Sequence, residues 1–276
     1  MTLSLTRRQR KALGKLGAIL INLPFVFLIM IPLLYTFMMS VMPADELYSR
    51  FWPSHADFSS YLSVFTKTMI PRHILNSFIV AGSVTILQMI TCSMAAFSFS
   101  FLEFRGRNFV FMCILATMMV PWEATIIANY LTVSTWGWLD SYRVLILPYG
   151  CSAMGVFLMR QFMMTIPDSM LEAARVDGAS EYLIFWKIVM PMVKPAWMTL
   201  AIFTFKDLWN TGETQYIYEE SMKTLTAVMQ SISSAGIARA GAGAAVALLM
   251  MIPPVVVFVI SQSSVMETMA TTGIKG

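Results

Sequence analysis

Six long apolar runs recur along the chain, and each is near the length that an α-helix needs to cross a membrane. A helix rises about 1.5 Å per residue, so about 20 residues span a hydrocarbon core of ~30 Å. Inside that core every backbone N–H and C=O must be bonded within the protein, which favours helices for such runs. The predicted spans are Leu16–Val41, Ile74–Phe101, Phe109–Thr132 (interrupted at Pro121), Val144–Met164, Pro195–Thr211 and Gly241–Ser261.

Composition excludes the soluble classes of protein. The sequence is 57% hydrophobic and 12% charged, whereas soluble domains average about 25% charged residues. We also expect no cleaved signal peptide, because Leu16–Val41 is longer than a signal core and no small-x-small cleavage site follows it. We therefore attribute the net charge of +4 to the orientation of the chain in the membrane. We expect the chain to be surrounded by lipid and to have no nucleic-acid partner.

Lysine and arginine are distributed unevenly between the segments that join the spans. Cytoplasmic loops of membrane proteins carry an excess of these residues. A cytoplasmic N-terminus gives the larger share to the inside, so we expect both termini to be cytoplasmic. This topology places Arg7, Arg8, Arg10, Lys11, Lys15, Arg105, Arg107, Arg160, Arg175, Lys187, Lys194 and Lys275 inside, and Arg50, Lys67, Arg72, Arg143, Lys206, Lys223 and Arg239 outside.

The polar segment, residues 165–194, separates the fourth and fifth spans and is cytoplasmic in this topology. Pro167-Asp168-Ser169 followed by Glu172 predicts the start of a helix, because Ser169 and Glu172 have the spacing of a capping box. Gly178 supplies the left-handed residue that ends this helix after barely two turns. A second helix is expected to begin near Ser180 and to run toward Pro191. The segment is thus predicted to lay a short helix across the membrane face at a fixed angle.

The polar segment also carries a motif of a known family. Glu172-Ala173-Ala174, then Gly178, then Ile188-Val189-Met190-Pro191 resemble the EAA loop of permease subunits in binding-protein-dependent ABC importers, with Met190 in place of Leu. Read alone, Glu172 is a cap and Asp177-Gly178 a turn. The resemblance instead implies a coupling helix that seats in an ATPase subunit. The residues implied in this coupling are Glu172, Ala173, Ala174, Asp177, Gly178 and Ala179.

Further similarities point to the carbohydrate-uptake class, the maltose/glycerol-3-phosphate permease family. Where that family often has Pro-Leu-Tyr, this chain has Ala128-Asn129-Tyr130, so its pathway lining is expected to differ there. The similar residues are Asn76-Ser77, Met119-Val120-Pro121, Leu145-Ile146-Leu147-Pro148, Phe205 with Trp209-Asn210, and Thr272-Gly273-Ile274-Lys275-Gly276, a recurrent tail that suggests a complete chain.

The resemblance implies a fold class. The implied fold is that of an all-α membrane protein, a six-transmembrane-helix type I ABC importer permease with a cytoplasmic coupling helix. We expect one domain over residues 1–276, with its core at about 74–262, helix 1 at about 16–41 and the coupling-helix loop at about 165–194.

The resemblance also implies partners and a location. The chain would form half of a sugar pathway with a second homologous permease subunit in the bacterial cytoplasmic (inner) membrane. An extracytoplasmic solute-binding protein would deliver the sugar, which we expect to be an oligosaccharide. The chain has no Gly-x-x-x-x-Gly-Lys-Ser/Thr motif, so we expect no cofactor in it and no enzyme activity. ATP and Mg are expected in a dimer of partner ABC ATPase subunits.

Four polar or aromatic residues are candidates for the substrate pathway. An ionisable residue inside a span costs about 2.5–3.5 kcal/mol at mid-membrane, so it usually faces protein or water. Glu123 follows the Pro121 break, although it can also lie at the outer interface. Trp209 and Asn210 suit a sugar, which presents apolar C–H faces and hydroxyls, but packing explains Trp209 about as well. Asp207 is a further candidate.

The sequence leaves alternatives open. An ion-coupled secondary transporter needs a coupling site, and Glu123 is its sole support. A membrane enzyme is disfavoured because His55 and His73, the two histidines, lack a carboxylate set at ligand spacing. Glycerol phosphate or another small solute remains an alternative cargo, with Lys206 as the available cation. The stretch Glu213–Lys223 is expected to be a solvated outer loop, or a contact with a docked binding protein.

Overall fold

The protein is described by a computed structural model that covers residues 7–212, 215–234 and 240–273. Within these ranges the backbone forms helices and turns and contains no strand, which confirms the all-α fold. The chain divides into two compact units, residues 1–68 with 232–249, and residues 69–231 with 250–276. The sequence predictions that involve Glu213, Arg239 and Ile274-Lys275-Gly276 fall outside the described residues.

The helices follow one another with short connections. A 3-10 turn, Leu147–Tyr149, follows α6, and a π-helical turn, Phe185–Val189, joins α9 to α10. The helices are α1 (Arg7–Ser40), α2 (Ser59–Lys67), α3 (Ile70–Phe101), α4 (Arg107–Thr117), α5 (Trp122–Thr135), α6 (Tyr142–Ile146), α7 (Ala153–Met163), α8 (Asp168–Val176), α9 (Glu181–Ile184), α10 (Met190–Met192), α11 (Lys194–Asn210), α12 (Leu225–Ser234) and α13 (Ala240–Gly273).

The membrane-spanning regions agree with the six predicted runs. Among the described residues, four helical stretches are long and apolar enough to cross a membrane, and two bent pairs raise the number to six. The pair α4 and α5 is bent by 98°, at the predicted Pro121 break, and the helix Glu181–Met192 meets α11 at 81°. The four stretches are Gly17–Ser40, Ile70–Phe101, Tyr142–Met163 and Ala240–Gln262.

In the first unit, α1 is a continuous helix that contains Pro24 and Pro32. The most apolar window of its span includes no buried residue. At its end the Tyr61 hydroxyl of α2 donates to Ser40 Oγ at 3.0 Å, and Ser40 is fully buried. The exposed apolar length of α1 is the kind of surface that lipid or another membrane protein covers.

The second unit is built on the close packing of α3, α7 and α11. Gly155 on α7 permits this approach, because an added Cβ would lie 2.8 Å from Cys92 Sγ and 3.0 Å from Leu200 Cδ1. Small residues at such crossings let helix backbones come together in membranes. The core cluster that results contains Phe97, Met159, Leu171, Phe185 and Leu200 among its buried members.

The fourth span is broken, whereas the sequence predicts it as one run. After the 3-10 turn, residues 150–152 are non-helical before α7 begins. Polar side chains of α3 bond the freed carbonyls: Gln88 Nε2 donates to Tyr149 O at 2.7 Å, and Thr91 Oγ1 donates to Gly150 O at 2.5 Å. Bonding inside the protein is what allows irregular backbone at membrane depth.

The segment that follows α11 is packed against the second unit, so the prediction of a solvated loop is wrong for Tyr216 and Ile217. Both side chains are buried. Asp140, at φ 53°, holds the segment: its Oδ1 accepts from the backbone N–H groups of Tyr218 at 2.6 Å and Glu219 at 2.8 Å. Sequence patterns miss this contact because it joins residues nearly 80 positions apart.

Candidate functional site

The first helix of the polar segment begins earlier than the capping box predicts. The residue before α8 is Pro167, and no side chain caps this helix. Ser169 and Glu172 therefore lie inside α8, and the predicted capping box is wrong. Proline is well suited to a helix start because its fixed φ fits there and its missing N–H would have no helical partner.

The end of α8 follows the prediction. Gly178 adopts φ +84°, the left-handed conformation that glycine adopts at no steric cost. The N–H of Gly178 bonds to Arg175 O and the N–H of Ala179 to Ala174 O, both at 3.0 Å. These two bonds form a Schellman motif, which pairs carbonyls that a helix end leaves without partners. The turn is thus fixed by its own backbone.

The second helix starts at once and is tied to the first. Ser180 caps α9, and its Oγ accepts from Leu183 N at 3.3 Å. Arg175 donates through Nε to Glu181 Oε1 at 2.7 Å and through Nη2 to Oε2 at 3.3 Å. The hydrogen bond to Glu181 raises the pKa of Arg175, with the charges of Glu172 and Asp168 acting in the same direction. The guanidinium therefore stays charged, and the pair bridges the two helices.

One side of α8 is anchored in the core cluster. Leu171 is 1% exposed, and Ala174 and Ala179 pack against the cluster from the two sides of the turn. In the next helix Phe185 lies edge to face with Phe97 at 5.4 Å between ring centroids. The two alanines are the C3 and C″ positions of the Schellman motif, where an apolar contact commonly accompanies the turn.

The other side of the segment is exposed. Glu172, Ala173, Asp177 and Gly178 all lie on this side. Val176, an apolar β-branched side chain, is 87% exposed. Of the predicted coupling residues, the structure therefore presents four to solvent and turns Ala174 and Ala179 inward. An exposed apolar residue among charges, on a rigid turn, is a surface that can contact another protein.

The exposed turn is connected to the fifth span by a braced bend. The helix from Glu181 to Met192 meets α11 at 81°. Pro191 removes one backbone donor, and the neighbouring Met190 N–H bonds to Phe185 O in the π-helical turn. Across the bend, Trp197 Nε1 donates to Met190 O at 3.1 Å. The bend between the exposed turn and α11 is therefore braced by hydrogen bonds.

Trp209, a predicted pathway residue, lies inside the second unit. It is 2% exposed, and its indole N–H donates to Met250 O at 2.9 Å. Its ring stacks on Phe205 with centroids 5.6 Å apart and meets Phe78 edge to face at 4.8 Å. In this conformation its ring is enclosed by packing.

The other three predicted pathway residues are exposed. Asp207 and Asn210 lie on α11. Asp207 is paired with Lys206, whose Nζ lies 3.7 Å from Asp207 Oδ1. Glu123 lies in the first turn of α5, and no described contact joins it to the α11 residues. The structure therefore brings Asp207, Trp209 and Asn210 together on one helix and leaves Glu123 apart.

Sequence reasoning missed the role of Asn76 and His73. Asn76 Nδ2 donates to Ser221 O and Lys223 O, both at 2.9 Å, and Tyr142 donates to Asn76 Oδ1 at 2.7 Å. His73 Nδ1 lies 3.0 Å from Lys223 O. Asn76-Ser77 is visible in the sequence as a family feature, and the structure adds that it holds the segment after α11. In the described ranges, no group of three or more His, Cys, Asp or Glu side chains could hold a metal ion.

Comparison with known proteins adds independent evidence. Residues 88–269 match a family described as the binding-protein-dependent transport system inner membrane component. The matched range includes the polar segment and spans three to six.

Curated relatives agree with this match. One is the sn-glycerol-3-phosphate transport system permease protein UgpE of Yersinia pestis bv. Antiqua, 36% identical over 197 residues, which are 68% of this chain and 69% of the relative. Another is the protein of the same name from Escherichia coli O1:K1 / APEC, 37% identical over 201 residues and 69% of each chain. Both are named as permeases of a transport system, which confirms the prediction of a transporter subunit rather than an enzyme.

Solved structures share the fold. A bacterial ABC transporter involved in the import of the acidic polysaccharide alginate has a chain with TM-score 0.80 and 24% identity, covering 95% of this chain and 99% of that one. A bacterial alginate ABC transporter in complex with an alginate pentasaccharide-bound periplasmic protein has a chain with TM-score 0.56 and 16% identity, covering 95% and 98%. These likenesses concern the arrangement of the helices.

Proposed function

The chain belongs to the family of binding-protein-dependent transport system inner membrane components, and from this we propose that it forms half of the pathway of an ATP-driven importer for a sugar. Permease subunits of this kind work with a solute-binding protein, as the family description states. The chain itself would hydrolyse nothing.

The observation that carries the proposal is the geometry of the polar segment. Glu172, Ala173, Asp177 and Gly178 are exposed on a turn whose other side is anchored by Leu171. A rigid, partly apolar surface can fit into a groove of a partner protein, and movement of that partner would then push or pull on the polar segment. We assign this surface to contact with an ABC ATPase subunit, so that closure of an ATPase dimer moves the fifth span.

The remaining partners follow from the same assignment. A second homologous permease subunit would supply the other half of the pathway, and ATP and Mg would be held by the ATPase subunits. The polar segment and both termini would be cytoplasmic, in a bacterial inner membrane. Residues 1–276 would act as one transmembrane domain. The exposed apolar length of α1 is consistent with a surface covered by lipid or by a second permease.

A sugar is the favoured cargo, and glycerol phosphate is the second candidate. The curated relatives are named for sn-glycerol-3-phosphate transport, whereas a structural neighbour is involved in the import of alginate, an acidic polysaccharide. A phosphate group is best held by arginine or lysine. Lys206 is the cation near the predicted pathway residues, and it is already paired with Asp207. We favour a sugar, an oligosaccharide in particular, because a single exposed lysine is a weak site for a phosphate group.

We keep Glu123, Asp207, Trp209 and Asn210 as proposed pathway residues. The three exposed members offer carboxylate and amide groups to hydroxyls. Trp209 would have to leave its bond to Met250 O to meet a sugar, so its role requires a second conformation of α11.

The test compares two glycines that share one backbone conformation. Gly178 has φ +84° and Gly106 has φ +85°, and an added Cβ meets no atom within 4 Å at either position. Valine is strained at such φ values by about 1–2 kcal/mol or more. A tagged chain is purified in mild detergent from its native host, and the co-purified subunits are quantified by mass spectrometry. We expect Gly178→Val to lose the ATP-binding subunit and to keep the second permease.

Gly106→Val is the matched control and is expected to retain both partners. Two results would contradict the proposal. One is a native chain that co-purifies with no ATP-binding subunit, and the other is loss of that subunit from Gly106→Val as complete as its loss from Gly178→Val. In the second case, general strain rather than the polar segment would explain the loss.

A further inference from the structure

A cavity of about 320 Å³ lies between spans three and four of the second unit, away from the polar segment. Its volume falls at the lower end of the range of about 300–1,000 Å³ that is usual for small-molecule sites. It extends from the start of α5 to the turn that follows α5. The described residues that line it include Trp122, Asn129, Thr132, Trp136, Trp138 and Tyr149.

Aromatic rings form most of the wall. Trp122 and Tyr149 face each other with centroids 5.9 Å apart and an angle of 39° between their planes. At the other end, Trp136 and Trp138 lie 4.9 Å apart at 59°. Trp136 is 59% exposed, so its ring is available to a ligand without unfolding of the helix. Each pair of rings is in mutual contact, and all four rings line the cavity.

Two polar side chains of α5 lie along the same wall. Trp122, Asn129 and Trp136 follow one another at intervals of seven residues, which keeps them on one face of a helix. The Asn129 amide donates to Thr125 Oγ1 at 3.3 Å, and no described contact occupies its Oδ1. Thr132 lies one turn further on and is exposed. The wall therefore offers hydrogen-bonding groups between aromatic faces.

The cavity also lies where two spans are broken. Trp122 begins α5 directly after the Pro121 break, and Tyr149 belongs to the 3-10 turn that interrupts the fourth span. Broken helices at membrane depth occur where the backbone is buried in protein or lines a cavity, and in transporters they commonly form the substrate site.

The opposite wall is held in place by the segment after α11. Tyr216 lines the cavity and stacks on Tyr130 with centroids 6.4 Å apart and planes 13° apart. The Asp140 backbone N–H donates to Tyr216 O at 3.0 Å. Tyr216 is therefore held in place by contacts within the protein, which lowers the cost of ordering this part of the wall on binding.

We infer that this aromatic cavity binds a neutral sugar ring of the imported substrate. A sugar ring has C–H faces that pack on aromatic rings and hydroxyls that bond to amide and hydroxyl groups, which are the two chemistries of the wall. Among the described lining residues none is charged, so a phosphate or carboxylate group would find no counter-charge there. The inference rests on the proposed function and assigns its substrate class.

The test uses the whole complex, co-purified from its native host and reconstituted in vesicles with its own solute-binding protein. Uptake driven by ATP is measured by mass spectrometry from an equal mixture of neutral mono-, di- and trisaccharides with sn-glycerol 3-phosphate. The native complex is expected to import a neutral sugar. Trp136→Ala and Asn129→Ala are each expected to lower its initial uptake rate about tenfold, the effect of losing one good ring contact or hydrogen bond.

Two further variants guard against loss of folding. Trp136→Phe keeps an aromatic face and is expected to restore most of the uptake that Trp136→Ala loses. Trp52→Ala removes a tryptophan of the first unit that is 68% exposed, compared with 59% for Trp136, and is expected to leave uptake at the native rate. Co-purification of the partner subunits reports on assembly of each variant.

The outcomes separate the two proposals. If the native complex imports no component of the mixture, the proposed function itself is contradicted. If it imports only sn-glycerol 3-phosphate, the importer assignment stands, but the sugar cargo and the neutral-sugar cavity are both wrong. If the native complex and both alanine variants import a neutral sugar equally, the cavity is likewise wrong. Reduced uptake by assembled alanine variants, with recovery in Trp136→Phe, supports it.

Discussion

The polar segment and the aromatic cavity are built in opposite ways. The polar segment is a continuous stretch of chain whose shape comes from its own backbone bonds, at Gly178 and Ser180, and from one anchor at Leu171. The cavity takes its wall from residues 122–149 and from Tyr216, brought together by tertiary packing. The surface that we propose contacts an ATPase subunit is thus encoded locally, whereas the cavity that we propose binds a sugar depends on the packing of the whole unit.

The largest effect is expected from the anchor of the polar segment. Leu171→Ala removes a side chain that is 1% exposed, and such losses cost about 2–5 kcal/mol. We expect the α8 amides to exchange hydrogen much faster, while those around Asp140 do not change. Hydrogen exchange measured by mass spectrometry reports both regions. Met170→Ala, at a neighbouring residue that is 42% exposed, serves as control. Unchanged exchange in Leu171→Ala would mean that the backbone bonds alone stiffen the turn.

A second change acts on the helix packing that both regions share. Gly155→Ala places a Cβ 2.8 Å from Cys92 Sγ, and overpacking of this kind costs about 1–3 kcal/mol. The thermal midpoint in detergent is expected to fall. Gly82→Ala, where no atom lies within 4 Å, should match or exceed the native midpoint, because alanine favours helix over glycine by about 1 kcal/mol. Equal midpoints for the two variants would show that α7 and α3 can separate freely.

A third change loosens the cavity alone. Asp140→Ala removes the acceptor of two backbone N–H groups, at about 1–3 kcal/mol when such donors lose a partner. The amides of Tyr218 and Glu219 should exchange about tenfold faster or more, with no change in α8. Asp140→Asn keeps an acceptor oxygen and tolerates the positive φ, so it should behave nearly as the native chain. Faster exchange in α8 as well would show that the two regions are coupled.

The smallest effect is expected from the ion pair of the polar segment. Arg175 and Glu181 side chains are 36% and 44% exposed, and pairs at such exposure contribute about 0–1 kcal/mol. A double-mutant cycle with Arg175→Gln and Glu181→Gln should give a coupling energy in this range that shrinks as salt is added. A larger, salt-insensitive coupling energy would indicate that the pair, rather than the Schellman motif, fixes the turn.

The sequence predicts the two regions with unequal success, for the same reason. The six apolar runs, the stop at Gly178 and the start at Ser180 follow from local chemistry, and the structure confirms each of them. Helix α8 starts slightly before the position that the capping box predicts, because Pro167 rather than Ser169 is the residue that precedes the helix.

The aromatic cavity is not predictable in the same way. The seven-residue spacing of Trp122, Asn129 and Trp136 is present in the sequence and marks one helix face. Nothing local indicates that Tyr216 closes the space, because Asp140 reaches that segment across the fold. The difference at Ala128-Asn129-Tyr130 does point to this wall, since Asn129 lines it.

The bend at Val193 joins two helices of different length, and their lengths set how far each end would move. The helix from Glu181 to Met192 is about 18 Å long and the 17-residue α11 about 25 Å, at about 1.5 Å per residue. Two helices joined rigidly near a right angle would act as a lever that pivots at their junction. A shift of about 3 Å at the short arm would swing the far end of the long arm by about 4 Å, in a direction turned by the 81° of the bend. Motion along the membrane surface would thereby become motion of the pathway wall.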